Sequence, residues 1–236
     1  VAEGLKTVQA PVDPVYRVGR APDPFALPDW AYAQPDGTFG GRFDDPSGRR
    51  GVPPEQRFRT LYLSTTPSGA FGEVLARFRP DLAVLAALGS APPGAGAVPT
   101  DWHAVRRLGV TILDATTSFV DIGAAHTLKI LRPILAPLAT ELGLPDIDLS
   151  AVTGPSRVFT QEAARYVYEQ RDDAGQPCYA GIRYTSRLDH SWECWAAFGD
   201  RVRHRVVRVD STTASDAGLR AAAQVLGLAV TPVTSR

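Results

Sequence analysis

Hydrophobic and polar positions along this chain change rhythm several times, and each change marks a short strand, a helix or a turn-rich connection. Val15-Tyr16-Arg17-Val18 is a short apolar-polar alternation and predicts an early strand. Periodicity then disappears from residue 20 to residue 57, where Asp36-Gly37, Gly40-Gly41 and Pro53-Pro54 signal turns. So long an irregular stretch is uncommon inside a compact domain and is usually functional. Order returns with a strand at Thr60-Leu61-Tyr62-Leu63-Ser64 and helical spacing from Ser68 to Phe78. In that helix Ala70, Phe71, Val74, Leu75 and Phe78 share one side, with Ser68 as the expected N-cap and Pro80 beyond the end.

Residues 89 to 99, all Gly, Ser, Ala, Pro and one Val, read as an exposed loop. Trp102 to Leu113 suggests short strands. Ala124 to Leu142 is helical but carries Pro133 and Pro137, which predict a bend or a division. A further helix is expected from Thr160 to Gln170, its start signalled by Thr160 and Glu162. Tyr179 to Tyr184 and Cys194 to Phe198 read as strands on either side of a polar turn. Val202 to Val209 alternates like a strand. Ser215 to Leu226 closes as a helix capped by Ser215 or Asp216 and ended by Gly227. No internal repeat is visible. Strands and helices mixed without regular alternation argue for an α+β fold rather than a doubly wound sheet.

Composition narrows the possibilities. The 236 residues suit one large domain, and 44% hydrophobic content is ample for a core. A formal net charge of +0 argues against direct nucleic-acid binding driven by phosphate neutralisation. Basic residues are almost all Arg, with Lys only at Lys6 and Lys129, a bias explained either by a GC-rich coding sequence or by a need for guanidinium groups. No apolar run reaches the roughly 18 residues of a membrane span, and the segment from Val1 to Lys6 lacks the order of a secretory signal. The two cysteines, Cys178 and Cys194, have no zinc-site partners at close spacing. A cytoplasmic, metal-free protein that neither enters membranes nor binds nucleic acid is expected.

Standard chemical fingerprints are missing. Gly37-Thr38-Phe39-Gly40-Gly41 lacks the strand-turn-helix context of a dinucleotide loop. No Gly-x-Ser-x-Gly elbow occurs, and the four histidines form no metal-spacing pair. What remains is a set of polar residues in apolar or glycine-rich settings: Arg17, Arg42, Glu73 and Ser186. Charges there are expensive to bury alone. They pair as scaffolding, face water, or form a site, and residue chemistry leaves these alternatives open.

The surrounding segments point further. Val15-Tyr16-Arg17, Gly41-Arg42-Phe43-Asp44-Asp45-Pro46, Thr60 to Ser64 and Ala70-Phe71-Gly72-Glu73-Val74 resemble the N-terminal half of the RES domain, a family named after an Arg, a Glu and a Ser. Asp146 to Asp148, Phe159 to Ala164, Ala180 to Arg187 and Ala196-Ala197-Phe198 resemble its C-terminal half. The resemblance covers about residues 14 to 202, with residues 203 to 236 as a strand-helix extension expected to pack on the same domain. It implies an ADP-ribosyltransferase-like fold of small packed β-sheets flanked by helices, with NAD⁺ bound as a substrate and no metal.

The implied activity is cleavage of the nicotinamide–ribose bond, by an NAD⁺ glycohydrolase or phosphorylase acting as the toxin of a bacterial toxin–antitoxin pair. A mono-ADP-ribosyltransferase acting on protein and a non-catalytic binding module are the alternatives. By motif, Arg17 and Arg42 would hold the dinucleotide, Tyr62 would line the pocket, Glu73 would be the catalytic acid, and Ser186 would complete the site. Arg42 and Ser186 would share in catalysis as well as binding. Bond cleavage develops positive charge on the sugar, which a carboxylate stabilises, and forked guanidinium donors match diphosphate oxygens. Ser186 has no base beside it in sequence and is not read as a nucleophile. His190 and Glu193, in the polar turn, are weaker candidates. An Xre-type antitoxin is the implied partner, and the extension offers a surface for a homodimer.

Overall fold

A computed structural model of the chain describes residues 4–90 and 94–230. Its elements run β1 (Thr7–Gln9), β2 (Val15–Arg20), β3 (Thr60–Ser64), α1 (Pro67–Leu75), α2 (Leu82–Leu88), β4 (Ala97–Val98), β5 (Arg106–Leu113), β6 (Ser118–Asp121), α3 (Ala125–Glu141), α4 (Leu149–Thr153), α5 (Arg157–Glu169), β7 (Gly181–Thr185), β8 (Glu193–Phe198), β9 (His204–Ser211), α6 (Ala217–Leu226) and β10 (Ala229–Val230). The α+β class is as expected. Eight strands join in the order β1-β6-β7-β8-β3-β2-β5-β9, and β4 pairs with β10 in a separate ribbon.

The long sheet is nearly two. β3 and β8 pair over five residues and β2 and β5 over six, but β2 touches β3 through one pair, Tyr16 and Ser64. Each half has its own cover. Helices α3 and α5 lay Leu131, Leu135, Phe159, Ala163 and Val167 against Val120, Ile182, Ala196 and Phe198 of the β6-β7-β8-β3 half. Helices α1 and α6 pack Phe71, Leu75, Leu219 and Ala222 with Val18 of β2. The opposite face carries Val15, Leu61, Leu63, Phe119 and Trp195 around Phe25 of the long loop. Residues 20 to 57 form this loop, ordered only by short 3-10 turns.

Several elements depart from the sequence expectation. Helix α1 starts one turn position earlier, because Thr66 and not Ser68 accepts the Gly69 amide as N-cap. Helix α3 is continuous through Pro133 and Pro137, which lie four apart on its exposed side, so the donors it lacks face solvent. Helix α5 begins at Arg157, capped by Ser156, rather than at Thr160. Trp102 to Leu113 is a 3-10 turn followed by one eight-residue strand. Ala97 and Val98, expected in a loop, pair with Ala229 and Val230. Helix α2 and strands β1 and β6 have no counterpart in the hydrophobic pattern. The start Val1-Ala2-Glu3, residues 91–93 of the low-complexity segment, and the end of the extension from 231 lie outside the described residues.

Candidate active site

The site is built around the place where the two halves of the sheet part. Strand β3 contributes Tyr62, whose hydroxyl donates to Asp44 Oδ1 (2.9 Å) and accepts the Phe43 amide (2.8 Å). Asp44 Oδ2 accepts the Gly41 amide at 2.6 Å. Gly41 cannot be replaced without movement, since a Cβ there would overlap both Asp44 and the Tyr62 hydroxyl. The turn so formed carries Arg42, which is buried and donates through one nitrogen to the carbonyls of Val152 (3.1 Å) and Gly154 (2.7 Å) at the end of α4.

Glu73 lies within electrostatic reach of Arg42. Helix α1 presents it from an exposed position, and Ser186, buried just beyond β7, donates its hydroxyl to Glu73 Oε1 at 2.6 Å. The same oxygen of Ser186 accepts the Leu188 amide at 3.1 Å. Gly72 explains how the two segments come so close: the Trp192 ring lies where a Cβ at that position would be. The backbone therefore lets the 186–192 turn seat directly on α1.

Electrostatically the cleft is rich in guanidinium. Burial, reinforced by the like charges of Arg157 and Arg187, lowers the pKa of Arg42 to about 10, while Tyr184 and Glu73 act against the fall. Arg42 stays charged at neutral pH. Burial pushes the Tyr184 and Tyr62 phenols well above the usual tyrosine range, and the buried Cys194 thiol is raised for the same reason. Such a thiol is a poor nucleophile. Arg157 keeps one buried guanidinium nitrogen with no hydrogen-bond partner. A recess of about 220 Å³, lined among others by Asp121, Leu149, Val152, Arg183, Tyr184 and Thr185, lies beside the end of α4 and includes none of Arg42, Tyr62, Glu73 and Ser186. A larger groove of about 640 Å³ runs along α3 and is lined by none of these residues.

The sequence-derived residues thus divide. Arg42 and Glu73 lie within electrostatic reach of each other, Ser186 holds Glu73, and Tyr62 holds the turn that carries Arg42. Arg17 lies beside Tyr62, with Nε on the Pro24 carbonyl (2.6 Å) and a second nitrogen on the Tyr62 carbonyl (3.0 Å). Its guanidinium fills the gap where β2 leaves β3, and burial lowers its pKa to about 10. His190 is exposed, and Glu193 turns to the other face of the sheet, held by Arg183 at 2.6 Å. Sequence reasoning passed over Asp44, Arg157, Arg187 and Tyr184 as site residues. Asp44 and Arg187 stood inside the quoted motifs, but only the folded turn gives them partners. Arg157 carried no local signal, because it heads a helix whose start was expected three residues later.

The described residues contain no group of His, Cys, Asp and Glu suited to a metal ion, and no helix among them is long and apolar enough to cross a membrane. No curated protein matches the chain. The chain is similar to one in the crystal structure of the M. tuberculosis MbcT–MbcA toxin–antitoxin complex, with a TM-score of 0.47 and 14% identity, covering 94% of this chain and 91% of that one. The model of the RES domain matches residues 14–217, including every residue placed around the cleft. The chain belongs to the RES domain family.

Proposed function

We propose that this protein cleaves the nicotinamide–ribose bond of NAD⁺, as a glycohydrolase or a phosphorylase. The observation that carries the reading is the Ser186–Glu73 hydrogen bond of 2.6 Å, which aims a solvent-facing carboxylate into a cleft bounded by arginines. Glu73 stabilises the positive charge that develops on the ribose as neutral nicotinamide leaves. Ser186 donates its only proton to that carboxylate, fixing its orientation. The serine therefore acts as an orienter and not as a nucleophile.

Arg42, Arg157 and Arg187 supply the charge for the diphosphate, and the unpaired nitrogen of Arg157 is a donor awaiting an acceptor. Arg17, already engaged by two carbonyls, adds its charge from behind and keeps the seam closed. Tyr62 lines the pocket floor with its hydroxyl tied to Asp44. Residues 203 onward work within the same unit: α6 packs against α1, the helix that bears Glu73. In this reading the protein is the toxin of a toxin–antitoxin pair, restrained by an Xre-type antitoxin.

The test is incubation of the purified protein with NAD⁺, with and without inorganic phosphate. Hydrolysis yields nicotinamide and ADP-ribose from NAD⁺ and water. Phosphorolysis yields nicotinamide and ADP-ribose 1″-phosphate only when phosphate is present. Labelling of added protein instead would make it an ADP-ribosyltransferase. An absence of both binding and turnover would remove NAD⁺ as the substrate.

A further inference from the structure

The turn that presents Arg42 belongs to no helix or strand, yet each backbone group of the two residues flanking Arg42 has a side-chain partner. The Gly41 amide donates to Asp44 Oδ2 at 2.6 Å, and the Phe43 amide donates to the Tyr62 hydroxyl at 2.8 Å. The Gly41 carbonyl accepts from Gln161 Nε2 at 2.9 Å, and the Phe43 carbonyl accepts from Thr60 Oγ1 at 2.9 Å. Both amide tethers converge on one carboxylate, because Tyr62 donates its own proton to Asp44 Oδ1 at 2.9 Å.

We propose that Asp44 is a positioning residue for the anion-binding arginine, holding the peptide groups on both sides of Arg42 so that its guanidinium enters the cleft already oriented. The inference rests on the reading of the cleft as an NAD⁺ site and deepens it. A carboxylate is the group this position needs. It offers two acceptor oxygens to two donors, whereas an asparagine has one acceptor and would set an N–H against either the Gly41 amide or the tyrosine. The carboxylate is buried, and among the described residues it makes no direct ion pair, only a longer-range attraction to Arg17. Burial raises its pKa, with the hydrogen bonds from Tyr62 and Gly41 acting in the opposite sense. A group placed at such cost for scaffolding alone would be replaceable by a neutral one. The gain lies in Arg42, which needs no reorganisation when substrate arrives.

The experiment is a double-mutant cycle read by calorimetric titration of NAD⁺, with every protein carrying Glu73→Gln so that the ligand stays intact. Asp44→Asn is expected to weaken binding roughly tenfold, the loss of one hydrogen bond to a charged group. In an Arg42→Ala background the same substitution is expected to cost nothing further, because Asp44 acts only through Arg42. Equal losses in the two backgrounds would overturn the proposal and leave Asp44 as general scaffold. If Asp44→Asn does not fold, Tyr62→Phe removes the tether to Phe43 while keeping the ring, and the same cycle decides. Failure of the Glu73→Gln parent and of the wild type to bind NAD⁺ would overturn the substrate reading itself and the proposal with it. Additive losses in proteins that do bind overturn only the role of Asp44.

Discussion

Where β2 leaves β3, the ladder is one residue pair long and the opening beyond it holds the half-buried Arg17 and Tyr62 and the buried Asp44, each hydrogen-bonded. Along β9 the situation is reversed. That strand pairs with β5 over most of its length, yet Val206, Val207 and Val209 remain nearly half exposed and no strand among the described residues lies beyond it. The register slips between Val110 and Thr111, leaving Val207 as the extra residue of a bulge, so Val206 and Val209 fall on the same face while Arg205 and Arg208 share the other. One discontinuity is closed with costly polar groups, in the region where the proposed site lies. The other is left open and guarded by a bulge and arginines, two common ways to discourage edge pairing. Burial of polar groups, more than regularity of pairing, separates a working seam from an ordinary edge.

That contrast can be broken or sharpened by substitution. The largest effect is expected at Glu73: Glu73→Gln should still bind NAD⁺ but turn it over at least about a hundredfold more slowly, measured as initial rate of nicotinamide release. Unchanged turnover would mean that the cleft is not organised around this carboxylate. Next comes Gly41→Ala, whose Cβ would overlap Asp44 and Tyr62. It should destabilise the fold by roughly 1–3 kcal/mol in urea denaturation and weaken NAD⁺ binding together. An alanine tolerated without either change would show the filled seam to be as permissive as the edge.

Two smaller effects belong to β9. His204 lies at its start, its ring 5.2 Å from that of Phe25, and burial lowers its pKa. The folded state then favours the neutral ring, so this contribution is complete above the unfolded value of about 6.5 and is lost as pH falls toward the folded one. The urea midpoint should fall between pH 7.5 and pH 5 by more in the wild type than in His204→Gln. Equal falls would show the ring to be solvated like the rest of the strand. Finally, Val206→Thr and Val209→Thr should change stability by no more than about 0.5 kcal/mol. A larger loss would mean that the edge contributes to the core after all.

How far the sequence reached follows the same line. Strand β3 was legible to the residue because its apolar run is flanked by turn signals; of α6 the end was legible, because Gly227, at φ 66°, stops it in a left-handed conformation, whereas its start lies at Ala217 rather than Ser215 and Asp216 gives no side-chain cap bond. The continuity of α3 was not legible. Two prolines predict a break unless their solvent-side placement is known, and that placement is a tertiary fact. Glu73, Arg42, Tyr62 and Ser186 could be singled out through their surrounding motifs. Asp44 and Arg157 were not singled out: the hydrogen bonds of Asp44 to Gly41 and Tyr62 exist only in the folded turn, and Arg157 acts on Arg42 across 115 residues of chain. Thr66 displaced Ser68 as a cap for a local reason: Pro67 suits the first helical position, which puts the cap one residue before it.

The turn around Arg42 has a consequence for the order in which the protein acquires its properties. Only the Gly41 amide has a near partner, Asp44; the other tethers reach across 17 residues to Thr60, 19 to Tyr62 and 120 to Gln161. Contacts of such separation form only after the intervening chain has closed on itself. The orientation of Arg42 is therefore expected to be among the last features to mature. A nascent or partly unfolded chain, even with its strands and helices in place, lacks the oriented guanidinium until the distant segments have met.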